Sequence, residues 1–207
     1  RNNHSISTRL EQKLDSNNVL IVKANARIGS SSEHNRQSQL FSRSEDVLTN
    51  RLSLDNGSQL NTWRVASSAI FRHRFQKKGR SFAISLGYNG NQSDGSEDLY
   101  SLNRVFQSTD PDSLIRQLNR NDNNTDQFKS SLLFTEPLSK KWFWETFYNL
   151  SYTSNDVNRQ VADLRRSNIR VDSLSRFFDN SIRYNRLGSS IRYSYNALNV
   201  AAGLAGQ

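Results

Sequence analysis

The sequence predicts an all-β chain: an antiparallel up-and-down sheet of about eight strands in four hairpins, forming a segment of a transmembrane β-barrel. Three observations predict it. Apolar residues recur with period two in eight runs. The apolar sets contain no Asp, Glu, Lys or Arg, whereas the opposite sets are rich in them. The connections alternate short and long along the chain, as barrel turns and loops do. The clearest stretch is Asn61 to Gly90. Trp63, Val65, Ser67, Ala69, Phe71, His73 and Phe75 fall on one side of a strand; Thr62, Arg64, Ala66, Ser68, Ile70, Arg72 and Arg74 fall on the other. After the turn Gln76-Lys77-Lys78-Gly79-Arg80, Phe82, Ile84, Leu86 and Tyr88 alternate with Ser81, Ala83, Ser85 and Gly87. Aromatics close the ends of the apolar set, with small or aliphatic residues between them. That is the layout of a lipid-facing strand between two interfacial girdles.

The other strands follow in order. Strand one, about His4 to Asp15, sets Ile6, Thr8, Leu10, Gln12 and Leu14 against Ser5, Ser7, Arg9, Glu11 and Lys13. Asp15-Ser16-Asn17-Asn18 is a turn of residues that bond their own backbone. Strand two, about Val19 to Gly29, carries Leu20, Val22, Ala24, Ala26 and Ile28 on one face, with Ile21, Lys23, Asn25 and Arg27 on the other. The polar tract from Ser30 to about Leu60 reads as strand extensions plus an ordered loop. In a second tract, about Asn91 to Asp126, the spacing of Leu114, Ile115 and Leu118 predicts a short helix. Strand five is about Gln127 to Thr135, with Phe128, Ser130, Leu132 and Phe134 on one face. Pro137 fixes the next turn, and strand six runs from Lys141 to Tyr152. Val157, Val161 and Leu164 predict a further helical turn or two. Strand seven spans about Leu187 to Tyr195, and Asn196-Ala197 turns into strand eight, Leu198 to Gln207.

Composition narrows the function classes. Of 207 residues, 34% are hydrophobic, and no run of eighteen apolar residues exists to make a transmembrane helix. A barrel needs only alternate residues of short strands to be apolar, so a polar average suits it. Cysteine is absent, which removes disulfides and thiol chemistry. Lys and Arg number 28 against 19 Asp and Glu, a net charge of +9. The cations are scattered and accompany no nucleic-acid motif, so no nucleic-acid partner is expected. Proline occurs only at Pro111 and Pro137, both in predicted connections. The chain opens on Arg1, so any secretion signal has been removed or lies upstream. It ends at Ala205-Gly206-Gln207, inside a plausible strand. The expectation is one partial barrel domain over residues 1–207, with no plug domain and with an open, curved sheet whose first and last strands are unpaired.

Two hairpins carry a resemblance. The segment FRHRFQKKGRSFAISLGYN, residues 71–89, resembles the repeated strand–turn–strand unit of Bacteroidetes outer-membrane β-barrel proteins related to the TonB-dependent receptors. LLFTEPLSKKWFWETFYNLSY, residues 132–152, is similar to another such hairpin. The resemblance implies a bacterial outer-membrane location, a plug in the lumen, partnership with the TonB energy-coupling complex, and uptake of a small-molecule or oligomer ligand. Such receptors have about twenty-two strands, so the remainder of the barrel is itself an implied partner, alongside outer-membrane lipid. Two other readings stand beside it: a small eight-stranded barrel acting as adhesin or envelope anchor, and a soluble β-rich binding protein.

The site residues follow from the facing. Arg9, Glu11, Lys23, Arg27, Arg64, Arg72, Arg74, Lys129, Glu145 and Arg192 are expected to face the lumen. Arg72 and Arg74 are expected to pair with Glu11 and Glu145 across the wall; the alternative is attraction of an anionic substrate or an acidic plug surface. Trp63, Phe75, Tyr88, Phe128, Phe134, Trp142, Trp144, Tyr152 and Tyr195 are the membrane-interface aromatics. Tyr100, Phe106, Phe177 and Phe178 lie in predicted extracellular loops, either contacting ligand or packing the loops together. No enzyme is expected, because no catalytic signature is present. His4, His34 and His73 are far apart in sequence, and the acids Asp94, Glu97, Asp98, Asp110 and Asp112 lack the spacing of a calcium loop. No metal or cofactor is expected.

Overall fold

A computed structural model of the chain describes residues 1–44, 47–106 and 112–207. The strands are β1 (Asn2–Lys13), β2 (Asn18–Ser44), β3 (Val47–Arg74), β4 (Ser81–Val105), β5 (Ser113–Pro137), β6 (Trp142–Asp163), β7 (Ile169–Arg170), β8 (Arg176–Tyr195) and β9 (Leu198–Gly206). Among the described residues one 3-10 turn occupies Leu164–Arg166. All nine strands form one antiparallel sheet, ordered β1-β2-β3-β4-β5-β6-β8-β9, with the two-residue β7 hung on the far end of β6. The topology is up-and-down, as the alternation predicts. Among the described residues no ladder joins β1 to β9, so the sheet is open and these two strands are its edges. The eight-stranded closed barrel would need that ladder.

Four tight turns stand at one end of the sheet, each built by its own sequence. At the first, Asp15 Oδ1 accepts from the backbone amides of Asn17 (2.7 Å) and Asn18 (2.8 Å), a side-chain mimic of a backbone turn. The Asn18 side chain, then the Asn17 amide, hold the Asp15 carboxyl below its ordinary value. At the second, Phe75 N–H donates to the Arg80 carbonyl at 3.2 Å, and Gly79 takes φ +92°. At the third, Ser139 Oγ accepts from the amides of Lys141 and Trp142. At the fourth, Asn196 adopts the left-handed region at φ 52°.

The other end of the sheet departs from expectation. The strand extensions expected between Ser30 and Leu60 form, and where a loop was expected the described residues of the tract are strand as well: β2 and β3 are 27 and 28 residues long and pair without a slip from Asn18↔His73 to Phe41↔Asn50. The predicted helix at residues 112–118 is also absent. Leu114, Ile115 and Leu118 belong to β5, opposite Leu102, Ser101 and Asp98 of β4. Val157 and Val161 lie in β6, and only Leu164 enters a helical turn. The physical reason is parity. A spacing of four residues puts two side chains on one face of a helix and on one face of a strand alike.

Two turns meet in an ion cluster that the sequence did not announce. Glu136, near the end of β5, accepts from Lys77 Nζ at 2.6 Å and from Arg80 Nη2 at 2.8 Å, so the β3–β4 turn is tied to the next hairpin. The Arg80 hydrogen bonds, then the Lys77 one, pull the Glu136 carboxyl down to about 2 from an ordinary value of 4.5. A carboxyl depressed by folding contributes stability that is present above its unfolded value and lost as pH falls toward its folded one. Unfolding in detergent micelles should therefore show a stability loss between about pH 4.5 and pH 2 that Glu136→Gln removes. An unchanged acid profile in the variant would show that the cluster adds nothing. At Gly79 an added Cβ would meet Phe143 Cε1 at 3.2 Å with φ still positive. Gly79→Ala should cost about 1–2 kcal/mol in the same assay, and Gly79→Asn less.

Candidate membrane band and its polar concave face

Directly paired residues share a face of the sheet, so the register sorts every side chain. One row runs Thr8, Ala24, Ser67, Tyr88, Phe128, Tyr152, Arg183 across β1 to β8. Followed outward in steps of two, it gathers the predicted apolar sets of all the long strands onto one side. That side has no protein against it. Ile6 is 73% exposed and Leu204 89%, and the buried core side chains Ile21 and Val161 both lie on the opposite face. A water-soluble chain of this length buries a core, because removal of apolar surface from water is the main drive to fold. Here the large apolar surface faces outward, the mark of a surface that meets something other than water.

The apolar band is not level. On β1 it is centred at Thr8, between Ile6 and Leu10; on β9 it is centred at Ala201, between Leu198 and Leu204. The row through Thr8 reaches β8 at Arg183, whereas Ala201 pairs with Arg192, nine residues farther along. The band on β6, Trp142 to Tyr152, falls between the two. The drift accumulates over the seven gaps of the eight-strand path. At about 3.3 Å per residue and about 4.8 Å per gap, it is about 30 Å along the strands for about 34 Å across them. A level band then needs strands tilted by about 40°, inside the 35–45° range of membrane barrels. Leu20 to Ile28 and Leu187 to Tyr195 each span nine residues. At that tilt nine residues rise about 23 Å, close to the ~25 Å apolar belt of such barrels.

The aromatics lie at the rims of the band. Tyr88, Phe128 and Tyr152 are successive cross-strand partners at the end away from the tight turns, and Trp63 sits four residues farther out on β3. Phe75, Phe134, Trp142, Trp144 and Tyr195 lie toward the turns. Phe75 and Phe134 meet edge to face at 6.4 Å, and Trp142 tilts on Tyr193 at 4.9 Å. Polar tips find partners: Tyr88 OH donates to Asp126, and Trp144 Nε1 donates to Ser189 Oγ at 2.6 Å.

The opposite face is polar and concave. One hollow of about 810 Å3 is lined from Ser7 and Arg9 on β1 through Lys23, Ser68 and Lys129 to Tyr184 on β8, so the sheet curves with this face inside. Arg9, Glu11, Lys23, Arg27, Arg64, Arg72, Arg74, Lys129, Glu145 and Arg192 all share it. Arg9 pairs with Glu11 at 3.0 Å, Arg192 pairs with Glu145 at 2.8 Å, and Arg64 Nε donates to Asn91. The expected pairing of Arg72 and Arg74 with Glu11 and Glu145 does not form. Both cations sit on β3, two strands from β1 and three from β6, or about 10–14 Å of sheet. Each glutamate is taken by an arginine nearer to it.

The remaining candidates do not converge. Tyr100 lies in β4, and Phe177 and Phe178 in β8, all in strands rather than loops; Phe106 directly follows β4. Tyr100 pairs with Asp55 and Arg116, whereas Phe177 and Phe178 pair with Asn158 and Val157. Asp94 and Asp98 take one face of β4 and Glu97 the other, where it accepts from the Asn56 and Asn119 side chains. Asp112 pairs with Arg104 at 3.2 Å, and Asp110 lies outside the described residues. His73 meets the Asn18 side chain at 2.7 Å and His34 meets Asp55 at 3.1 Å. Among the described residues no three His, Asp or Glu side chains are placed to hold a metal ion.

No family model and no curated protein matches this chain. Among solved structures, FpvA of P. aeruginosa, in complex with a heterologous pyoverdine and iron, aligns over 98% of this chain at 10% identity, with a TM-score of 0.38. The chain spans 35% of that protein's length. A likeness at that level carries no weight beside the geometry.

Proposed function

We propose that the chain is part of the barrel wall of a bacterial outer-membrane transporter related to the TonB-dependent receptors, serving uptake of a nutrient across that membrane. The observation that supports it is the uncharged apolar band, whose drift and height correspond to strands tilted through a bilayer. Lipid covers that band. The unpaired edges β1 and β9 expose rows of backbone donors and acceptors that further barrel strands would satisfy. The concave polar face is the lumen, where a plug would sit and a solute would pass, with the TonB complex supplying energy from the side of the tight turns. The wall carries no catalytic role in this reading.

Leu86 and Ser85 test the facing directly. They are neighbours on β4, Leu86 on the apolar face near the middle of the band and Ser85 lining the concave hollow. In the full-length protein, Leu86→Arg should destabilise the folded state by about 2–4 kcal/mol. Ser85→Arg should cost far less, because a wet lumen solvates a cation. Reversible unfolding in lipid vesicles measures both. Equal losses would place protein, not lipid, against the apolar face.

A further inference from the structure

The charges of the concave face are out of balance within the band. Among the described residues its carboxylates there are Glu11 and Glu145, each already paired with an arginine. The cations cluster on β1–β3 and stand at three levels. Arg27 and Arg64 oppose each other directly across β2 and β3. Four residues nearer the turns, Arg9 and Lys23 oppose each other across β1 and β2. Four residues nearer still, Lys13 and Arg72 flank Val19 in one row. Each step is about 13 Å of strand.

Like charges directly opposite one another destabilise a sheet, yet within the band this sheet places two such pairs on its concave side. Around them the floor is short: Ser7, Asn25, Ala66 and Ser68 line the hollow beside Arg9 and Lys23. Arg9 reaches Glu11 and Arg64 reaches Asn91, whereas Lys23, Arg27 and Arg72 are exposed over the hollow side of the sheet. A low-dielectric wall focuses their field into that space.

We propose that these levels form a binding track for a multiply charged anionic solute, a small molecule bearing phosphate, sulfate or carboxylate groups. The proposal rests on the barrel reading, which makes this face a lumen. Paired cations at each level hold one anionic group between them, and the regular step lets the solute pass from level to level. An acidic protein domain docked there would have to fill the Ser, Asn and Ala floor with its own side chains. The recess instead leaves room for a solute with part of its hydration shell.

Titration of the full-length protein in detergent with inorganic tripolyphosphate, followed by calorimetry, tests the track. The expected result is saturable binding that weakens as salt is raised. The double variant Arg27→Gln/Arg64→Gln should bind about tenfold more weakly. Arg116→Gln/Arg120→Gln, which removes two cations from the opposite face, should bind as the parent does. No binding, or equal weakening by both double variants, overturns the proposal. So does unchanged tripolyphosphate binding in Arg27→Gln/Arg64→Gln together with loss of a co-purifying acidic domain, which would make the partner a protein. Insertion of the same samples into phosphatidylcholine vesicles reports separately on the barrel reading. Insertion without anion binding rejects the track alone, and anion binding without insertion rejects the band.

Discussion

Everything in this sheet depends on its unbroken backbone ladder. A β-strand that meets lipid has no water to satisfy its N–H and C=O groups, so each must find a neighbouring strand. The registers of β2 with β3, β3 with β4 and β4 with β5 run without a slip through the whole apolar band. Pro137, the one proline among the described residues, falls at the last residue of β5, beyond Phe134 and the band's edge. Because the ladder is continuous, the pleat assigns every side chain to the apolar or to the concave face without ambiguity. A slip by one residue would exchange the two.

That coupling explains what the sequence made legible. Trp63 to Phe75 and Phe82 to Tyr88 alternate so regularly that facing, turn position and neighbour order follow from the residues alone, and the sheet pairs them as read. Beyond the band, strand extensions were legible but their full length was not. Ser30 to Leu60 is polar on both faces, and a strand wet on both sides leaves no alternation to detect. Leu114 and Leu118 misled because a spacing of four suits either period. The ion pairs were partly legible. Which residues share a face follows from parity, but which cation reaches Glu145 depends on strand distance, and Arg192 on adjacent β8 is closer than Arg72 or Arg74 on β3. The Glu136 cluster needed the β3–β4 turn to fold beside β5, a contact between residues 56 and 59 positions apart.

The two faces also divide the energetics. In a water-soluble domain the apolar side chains supply stability by packing on each other, and here they pack on almost nothing of the chain itself. The concave side holds what packing there is. Ile21 is buried there, and Arg186 and Arg192 lie over the rings of Phe147 and Phe143 at 5.6 and 4.8 Å. Charged side chains thus serve the inner wall twice, as hydrogen-bonding groups and as covers for the aromatic rings near the turns.

The length of β2 and β3 has a consequence of its own. Past Ile28 and Trp63, at the outer rim of the band, the pair continues in register to Phe41 and Asn50, thirteen residues farther. At about 3.3 Å per residue and a 40° lean, that raises a wall of about 33 Å above the rim. The paired β2 and β3, flanked by equally regular β4 and β5, make a parapet of strand where the sequence reading placed strand extensions and an ordered loop. In the proposed transporter, a ligand arriving from outside would meet backbone whose conformational entropy was already surrendered on folding, so capture need not order it again. Selectivity at that entrance is then a matter of fixed spacing between side chains on a lattice, set by the pleat.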